Sequence, residues 1–571
     1  MEALIFVLIL LGIIVLIMFL QFINSRRDDK LYLLKLRKEF GNNHRSSYDH
    51  DLPASADAYF RRHATDRSLD DITWSDLSLD SIYSCIDTTE SEAGHQVLYH
   101  MLRTPLFDTE LIASRRRAID HFRTHDELRE KVQIVLHHVG SSGKSSIYDL
   151  LDDMKGLEEK SFTPYYVRIA ALILSIVSMF FLKGFGVVIF LAVLISNLYV
   201  YYRDRAKILP YMKVYLYILK TIDAGESIVK AFSSGDMTDP ELDRLSSGIK
   251  ELLERLKPVK RKSSFSLSSE MGNNPFLVLL SIAGVFVYAD IIRFWNLKRS
   301  ILDRSEDIDE LIFKSGSIDA YISMAGYVQS ISRRCCESTF TEEDRIDAEG
   351  IVHPLIEDPV PNTISADRSI LLTGANASGK STFLKSMALG AIYAQTIGYV
   401  CADKYAAPLC AVSSAMSVRD DIESGDSYYM VEIKAVKRII DRYCDEDIYA
   451  GCGHVLKLCF VDELLSGTNT EERIAACTQI LKGMAASGVM VMAATHDMEL
   501  TELLKNDYDN YHFEEDLSEG DVRFSYKIMS GGATSRNAIR LLSSLGFDEG
   551  MVQRAEMMVR LHKAEGVWKP V

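Results

Sequence analysis

Gly374-Ala375-Asn376-Ala377-Ser378-Gly379-Lys380-Ser381 is the stretch on which the fold of this chain turns. It follows the short apolar run Ser369 to Thr373, which reads as a buried strand, and opens the run Thr382 to Ala388, which reads as a helix. Strand, glycine-rich turn and helix in that order make a phosphate-binding loop. The glycines let backbone N–H groups wrap an anion at a helix N-terminus, Lys380 neutralises phosphate charge, and the Ser381 hydroxyl reaches a magnesium ion.

Working outward, the apolar strand Lys457 to Val461 ends in Asp462-Glu463. A carboxylate at the C-terminal end of a parallel strand beside such a loop holds Mg2+ through its water shell, and the next one polarises an attacking water. The strand Val489 to Ala494 runs into Thr495-His496, where an imidazole can reach the γ-phosphate or that water. From about residue 345 onward, short apolar strands alternate with helices, which predicts a parallel α/β domain.

The chain has 571 residues, 47% of them hydrophobic, and a mean hydropathy of +0.02, enough for several packed domains and too apolar for extensive disorder. Net charge is −16, so affinity for nucleic acid would have to come from a local basic patch. Cys335 and Cys336 are adjacent, and Cys452 and Cys459 are seven apart. Those spacings match neither a zinc site nor a secreted disulfide framework, and the nine cysteines read as thiols of a reducing compartment.

Two stretches are apolar enough for a membrane. Ala3 to Leu20 is uncharged throughout and reads as a transmembrane anchor. A cleaved signal peptide is the rival, but only Glu2 precedes the run as a charge and no small-residue cleavage pattern follows. Arg26, Arg27 and Lys30 come after it, which puts the N-terminus outside and the remainder in the cytoplasm. Ile169 to Tyr202 has Lys183 as its one charge and a break at Lys183-Gly184-Phe185-Gly186, so it reads as a helical hairpin, transmembrane or re-entrant. Arg168 before it and Arg203, Arg205 and Lys207 after it are cytoplasmic flanks. Phe276 to Ala289 is fourteen residues long and reads as a buried core helix. Three crossings keep the phosphate loop on the cytoplasmic side of the cell's inner membrane.

Elsewhere the periodicity is helical. Ile112, Ala118, Ile119 and Phe122 recur at helix spacing in a region from about 70 to 160, and the stretch from 204 to 340 is helical again. The basic cluster Lys257, Lys260, Arg261 and Lys262 before a Ser-rich loop reads as a solvated loop or as a contact for nucleic acid or anionic lipid.

Taken together, these motifs resemble the MutS family ATPase. Thr373 to Thr382 is similar to the family phosphate loop, Asp462 to Thr470 to its magnesium-site signature, and Ala494 to Thr501 to its switch-histidine segment. Ser424 to Glu432 resembles the family's signature loop, and Phe524 to Ala555 its C-terminal segment. A fainter likeness to the family's core and lever region lies in Asp76 to Ile82, Met101 to Leu106 and Arg115 to Ile119.

The resemblance implies an α/β P-loop NTPase domain of ABC type, MutS-like, C-terminal to a mainly α-helical core and lever region with transmembrane helices. It implies ATP and Mg2+ as cofactors and a homodimer with composite sites. Gly374, Asn376, Ser378, Gly379, Lys380, Ser381 and Thr382 would bind the nucleotide, with Ser427 reaching it from the partner subunit. Ser381 and Asp462 would serve the metal, and Glu463 and His496 would be catalytic.

The expected domains are an anchor (1–23), a linker and helical core region (24–164), a transmembrane hairpin (165–203), a lever-like region (204–344), and the ATPase domain with a C-terminal dimerisation segment (345–571). The span of about fifty residues between anchor and core leaves no room for the family's mismatch-reading and connector domains. Ser466 stands where the family signature has an arginine, which bears on subunit coupling. The expected function is a membrane-tethered ATPase that binds DNA without reading mismatches. The alternative is a membrane mechanochemical ATPase acting on a protein or lipid partner without nucleic acid. An ABC transporter fits less well, because three crossings make little of a pathway.

Overall fold

The computed structural model describes residues 27–42, 55–141, 146–158, 161–233, 239–263, 284–375, 378–416, 428–444, 448–516, 523–532 and 547–565. The anchor Ala3 to Leu20, Asn376, Ser427 and most of Phe276 to Ala289 lie outside the described residues. The chain forms two compact units interleaved in sequence. One comprises Met1–His63, Ile86–His100 and Arg117–Ser330; the other comprises Ala64–Cys85, Met101–Arg116 and Ile331–Val571.

The first unit is helical. Its central helix, Ser305–Ile331, is buried on nearly every side from Ile308 to Val328, and small residues at Ser315, Gly316 and Ser317 let neighbours approach closely. A Cβ on Gly316 would meet the Ala93 carbonyl oxygen at 2.5 Å, so the helix Glu92–Arg103 crosses there backbone to backbone. Asp319 accepts from the Ser91 amide at 2.9 Å and the Ser91 hydroxyl at 2.6 Å. It thereby satisfies donors that the start of that helix leaves free. Burial pushes the Asp319 carboxyl up to about 7.

The apolar run folds as two helices, Thr163–Leu182 and Gly184–Ser233, joined at Lys183 with φ 46°. A Cβ on Gly186 would lie 2.4 Å from the Ser178 carbonyl oxygen, so the close approach of the two legs there requires glycine at 186. The second leg does not stop at Tyr202 but continues as one helix of 50 residues, about 75 Å long at the α-helical rise. Phe180, Phe181 and Phe185 at its tip are about four-fifths exposed. In the helix Pro240–Ser263, Lys257 pairs with Glu254, and Lys260 lies 2.7 Å from both Asp223 and Glu226.

Among the described residues of the second unit, eleven strands build two sheets. They are β1 (Cys336–Phe340), β2 (Ile346–Ile351), β3 (Asn362–Ala366), β4 (Ile370–Thr373), β5 (Tyr399–Val400), β6 (Lys404–Ala407), β7 (Leu409–Ala415), β8 (Val455–Asp462), β9 (Val489–Ala494), β10 (Asp509–Asp516) and β11 (Arg523–Ser530). The larger sheet has the order β11-β10-β4-β9-β8-β7, parallel except for β11, and the smaller has the order β3-β2-β6-β1-β5. β4 and β9 are buried along their whole length, as expected of strands covered on both faces.

Leu372 pairs with Ala494, and Asp462 also pairs with Ala494. The C-terminal ends of β4, β9 and β8 therefore finish level, at the edge where parallel sheets bind ligands.

The short helix Asp71–Asp76 docks on this sheet. The Ser414 amide donates to the Thr73 hydroxyl at 3.1 Å, while the Ser414 hydroxyl and the Met416 amide donate to Asp76 at 2.8 and 2.9 Å. Leu106 exchanges hydrogen bonds with Gln395, and Arg115 donates to the Thr396 carbonyl at 2.8 Å. The segments around Asp76 and Met101 to Arg115, expected in a core and lever region, are thus built into the α/β unit. No disulfide joins any of the eight described cysteines among the described residues.

Candidate nucleotide site

The loop after β4 is shaped by two glycines in backbone conformations closed to other residues. Gly374 has φ 144° and Gly379 φ 107°. A Cβ on Gly374 would sit 3.0 Å from the Ser378 hydroxyl and 3.1 Å from the Phe513 carbonyl oxygen, and one on Gly379 would press Tyr526 at 3.3 Å.

The helix that follows spans Lys380–Thr396, beginning two residues earlier than the sequence suggests. Its first side chain turns back over the loop, with Lys380 Nζ donating to the carbonyls of Gly374 and Ala375 at 2.8 and 2.9 Å. An ammonium group is thereby held against the carbonyls that open the loop. Ser378 is buried, and its hydroxyl has no hydrogen-bond partner among the described residues.

Asp462 closes β8 beside this loop. Burial pushes its carboxyl up, and a hydrogen bond with the Ser381 hydroxyl acts in the opposite direction. Its Oδ1 is buried without a hydrogen-bond partner among the described residues. A buried carboxylate oxygen left unpaired, next to a serine hydroxyl and a lysine, fits a hard cation with oxygen ligands such as Mg2+.

Glu463 follows with φ 51° and Leu465 with φ 56°, so the chain leaves the strand through left-handed backbone that costs roughly 1 kcal/mol or more per residue. That turn brings Glu463 Oε1 to 3.6 Å from His496 Nδ1. Each shifts the other: the imidazole holds the Glu463 carboxyl below the usual range, and the carboxylate raises the imidazole above its own. His496 is positioned from behind, because Arg473 grips neighbouring Asp497 through two hydrogen bonds of 2.8 and 2.7 Å.

Asp462 and Glu463 border a cavity of about 690 Å³. Gly379, Lys380, Ser381 and Thr382 are among its lining residues. Ile351, Val352, His353, Ile356, Pro359 and Val360 line it as well. His353 is held down to about 4 by burial, with Lys385 adding to the effect, and is therefore neutral near pH 7. Asn362 closes one rim, donating to the Tyr526 carbonyl at 3.0 Å and accepting from the Ile528 amide at 2.9 Å. Glu432 also lines the cavity, its Oε1 accepting from the Ser466 amide at 3.2 Å and hydroxyl at 2.9 Å. Serine at 466 thus serves to hold Glu432.

Gly374, Ser378, Gly379, Lys380, Ser381, Thr382, Asp462, Glu463 and His496 are therefore brought together, while Asn376 and Ser427 lie outside the described residues. Sequence reasoning missed Arg473, Glu432 and the wall from Ile351 to Asn362. The wall has no strand alternation or helical period, and its one cue is the apolar and proline content of the run Ile351 to Pro361.

Residues 370–562 match MutS domain V. Over 214 residues, 36% of this chain, it is 33% identical to the DNA mismatch repair protein MutS of Streptococcus pyogenes serotype M1. Over 286 residues, 48% of this chain, it is 27% identical to the DNA mismatch repair protein MutS of Lactobacillus delbrueckii subsp. bulgaricus. The aligned stretches span 24% and 32% of those two relatives. The matched domain contains the loop, the Asp462-Glu463 pair and His496, so the C-terminal part of the chain is similar to MutS domain V, and these partial matches support a MutS-family member.

Proposed function

We propose that this chain is a membrane-tethered ATPase that works as a homodimer, binds ATP with Mg2+ in the cavity beside Lys380, and hydrolyses it. The observation that carries the reading is the level meeting, at the ends of β4, β8 and β9, of an ammonium, a partnerless buried carboxylate oxygen and a Glu-His pair. Bound Mg2+ would draw charge from the phosphate oxygens. Ser381 and Asp462 would hold it, and Lys380 would exchange the loop carbonyls for phosphate. Glu463, ionised throughout the physiological range, takes a proton from the attacking water, and His496 fixes its orientation. Ser427 of the second subunit completes the site, as the resemblance implies. The tether is the hairpin, whose exposed apolar legs are those of a membrane segment, together with the N-terminal anchor.

The two relatives are named as DNA mismatch repair proteins, and duplex binding without mismatch reading is the family-level proposal for the substrate. A second reading, in which dimer closure acts on a lipid or protein partner with no nucleic acid, is favoured by one observation. The basic cluster that would hold DNA is internally neutralised at Lys257 and Lys260. ATP hydrolysis by the full chain, measured with duplex DNA and with vesicles, separates the two. Salt-sensitive stimulation by DNA supports the first, and stimulation by vesicles with indifference to DNA supports the second. Absence of hydrolysis under every condition overturns both.

A further inference from the structure

The turn that presents Glu463 is strained and is pinned at both ends. Glu463 and Leu465 stand in left-handed backbone, which non-glycine residues keep only where surrounding contacts over-determine it. One end is fixed by the Glu463 amide, which donates to the Ala494 carbonyl at 3.0 Å, and Leu465 is buried in the core of the α/β unit. The other end is fixed at Ser466, whose amide and hydroxyl both donate to Glu432 Oε1.

Glu432 is a costly group to place there. It is 5% exposed, and its Oε2 is buried without a hydrogen-bond partner among the described residues. A carboxylate withdrawn from water without a balancing cation opposes folding, so its presence is explained by what it does to Ser466. The helix that carries it, Tyr428–Cys444, is itself held firmly. Arg438 and Arg442 on that helix both pair with Asp70. Arg438 also donates to the Ser414 carbonyl at 2.6 Å, and Arg442 to the Ser68 carbonyl at 3.0 Å. Glu432 thus projects from a fixed element onto the end of a strained one.

We infer that Glu432 is a positioning residue for hydrolysis: through Ser466 it fixes the turn that holds Glu463 beside His496. The inference rests on the reading of Glu463 as the base and adds to it the group that aims that base. A general base must lie within hydrogen-bond reach of the water it deprotonates, and a misplacement of about 1 Å costs up to about a hundredfold in rate. Binding of ATP, which depends on the loop and Lys380, does not require the turn to be aimed.

The test is Mg2+-ATP hydrolysis by the full detergent-solubilised chain, with kcat, KM and the pH profile of kcat measured for each variant. Glu432→Ala should lower kcat by about tenfold or more while KM stays within about twofold. Glu432→Gln keeps an oxygen that accepts from Ser466 and should stay within about threefold of the wild-type kcat. Glu463 keeps His496 protonated above the ordinary histidine range, and the other charged neighbours of the imidazole, Asp497 and Arg473, are untouched by these changes. A slipped turn removes that support, so the alkaline limb of kcat in Glu432→Ala should move to lower pH. Ser466→Ala removes the hydroxyl and leaves the amide. It should show the same pattern at about threefold, add nothing further to Glu432→Ala, and decide the matter if Glu432→Ala does not fold. Wild-type kcat in the alanine variants, a rise in KM that matches the fall in kcat, or an unmoved alkaline limb overturns the positioning role and leaves Glu463 as the base. Absence of hydrolysis by the wild type overturns the ATPase reading and the positioning role with it.

Discussion

Glu463 and His496 hold one another in charged form across a wide pH range. The imidazole is raised by the carboxylate beside it, so the attraction is complete below the ordinary histidine range and fades only as pH rises through the raised value. On the acid side the carboxyl is lowered, and the pair persists until pH falls below the ordinary glutamate range. Hydrolysis by the wild type is therefore expected to keep its plateau past pH 6.5 before an alkaline limb sets in. In His496→Gln that limb should disappear and kcat should fall, by about tenfold or more if the imidazolium orients the base. A pH profile of kcat checks this, and an alkaline limb unchanged in the variant would contradict it. Both residues were legible because each ends an apolar strand beside a phosphate loop. Arg473 was not, because its role lies in gripping Asp497 across 24 residues of sequence, a contact no local pattern marks.

Among the elements, the parallel strands were the most legible, since burial on both faces writes them as short unbroken apolar runs. The hairpin was legible as an apolar run interrupted at Lys183 and Gly184, although its second leg was cut at Tyr202, where charged residues begin but the helix continues to Ser233. The helix Asp71–Asp76 was seen only as a faint likeness and was expected elsewhere. Its place beside β7 depends on hydrogen bonds that span about 340 residues, between Asp76 and Ser414 or Met416. Asp76→Ala would leave the buried Ser414 hydroxyl without its acceptor, at about 1–3 kcal/mol, and remove the partner of the half-buried Met416 amide. A clear drop in the thermal midpoint of the full detergent-solubilised chain is expected, with Asp76→Asn intermediate. A midpoint unchanged in Asp76→Ala would deny the docking.

At the scale of the molecule, two interleaved units carry separate burdens, and the helical one has its own titration. Asp319 is raised to about 7 in the folded chain, so its contribution to stability is full below pH 4 and is lost as pH rises from there through about 7. Asp319→Asn, which cannot ionise, should melt higher than the wild type at pH 8, with the difference shrinking toward pH 5. A difference independent of pH would show that burial does not govern this carboxyl. Interleaving itself was not legible, because contiguous apolar texture does not reveal that 64–85 and 101–116 return to a sheet begun more than two hundred residues later.

The claim on which the account depends is that Lys380, Asp462 and Glu463 form one ATP-hydrolysing site. Its most direct measurement is phosphate release and retained nucleotide for the full chain with Mg2+-ATP, comparing the wild type with Glu463→Gln and Lys380→Ala. Glu463→Gln should keep ATP bound while release falls by about a hundredfold or more, and Lys380→Ala should fail to retain ATP. Release at the wild-type rate in either variant would contradict the account.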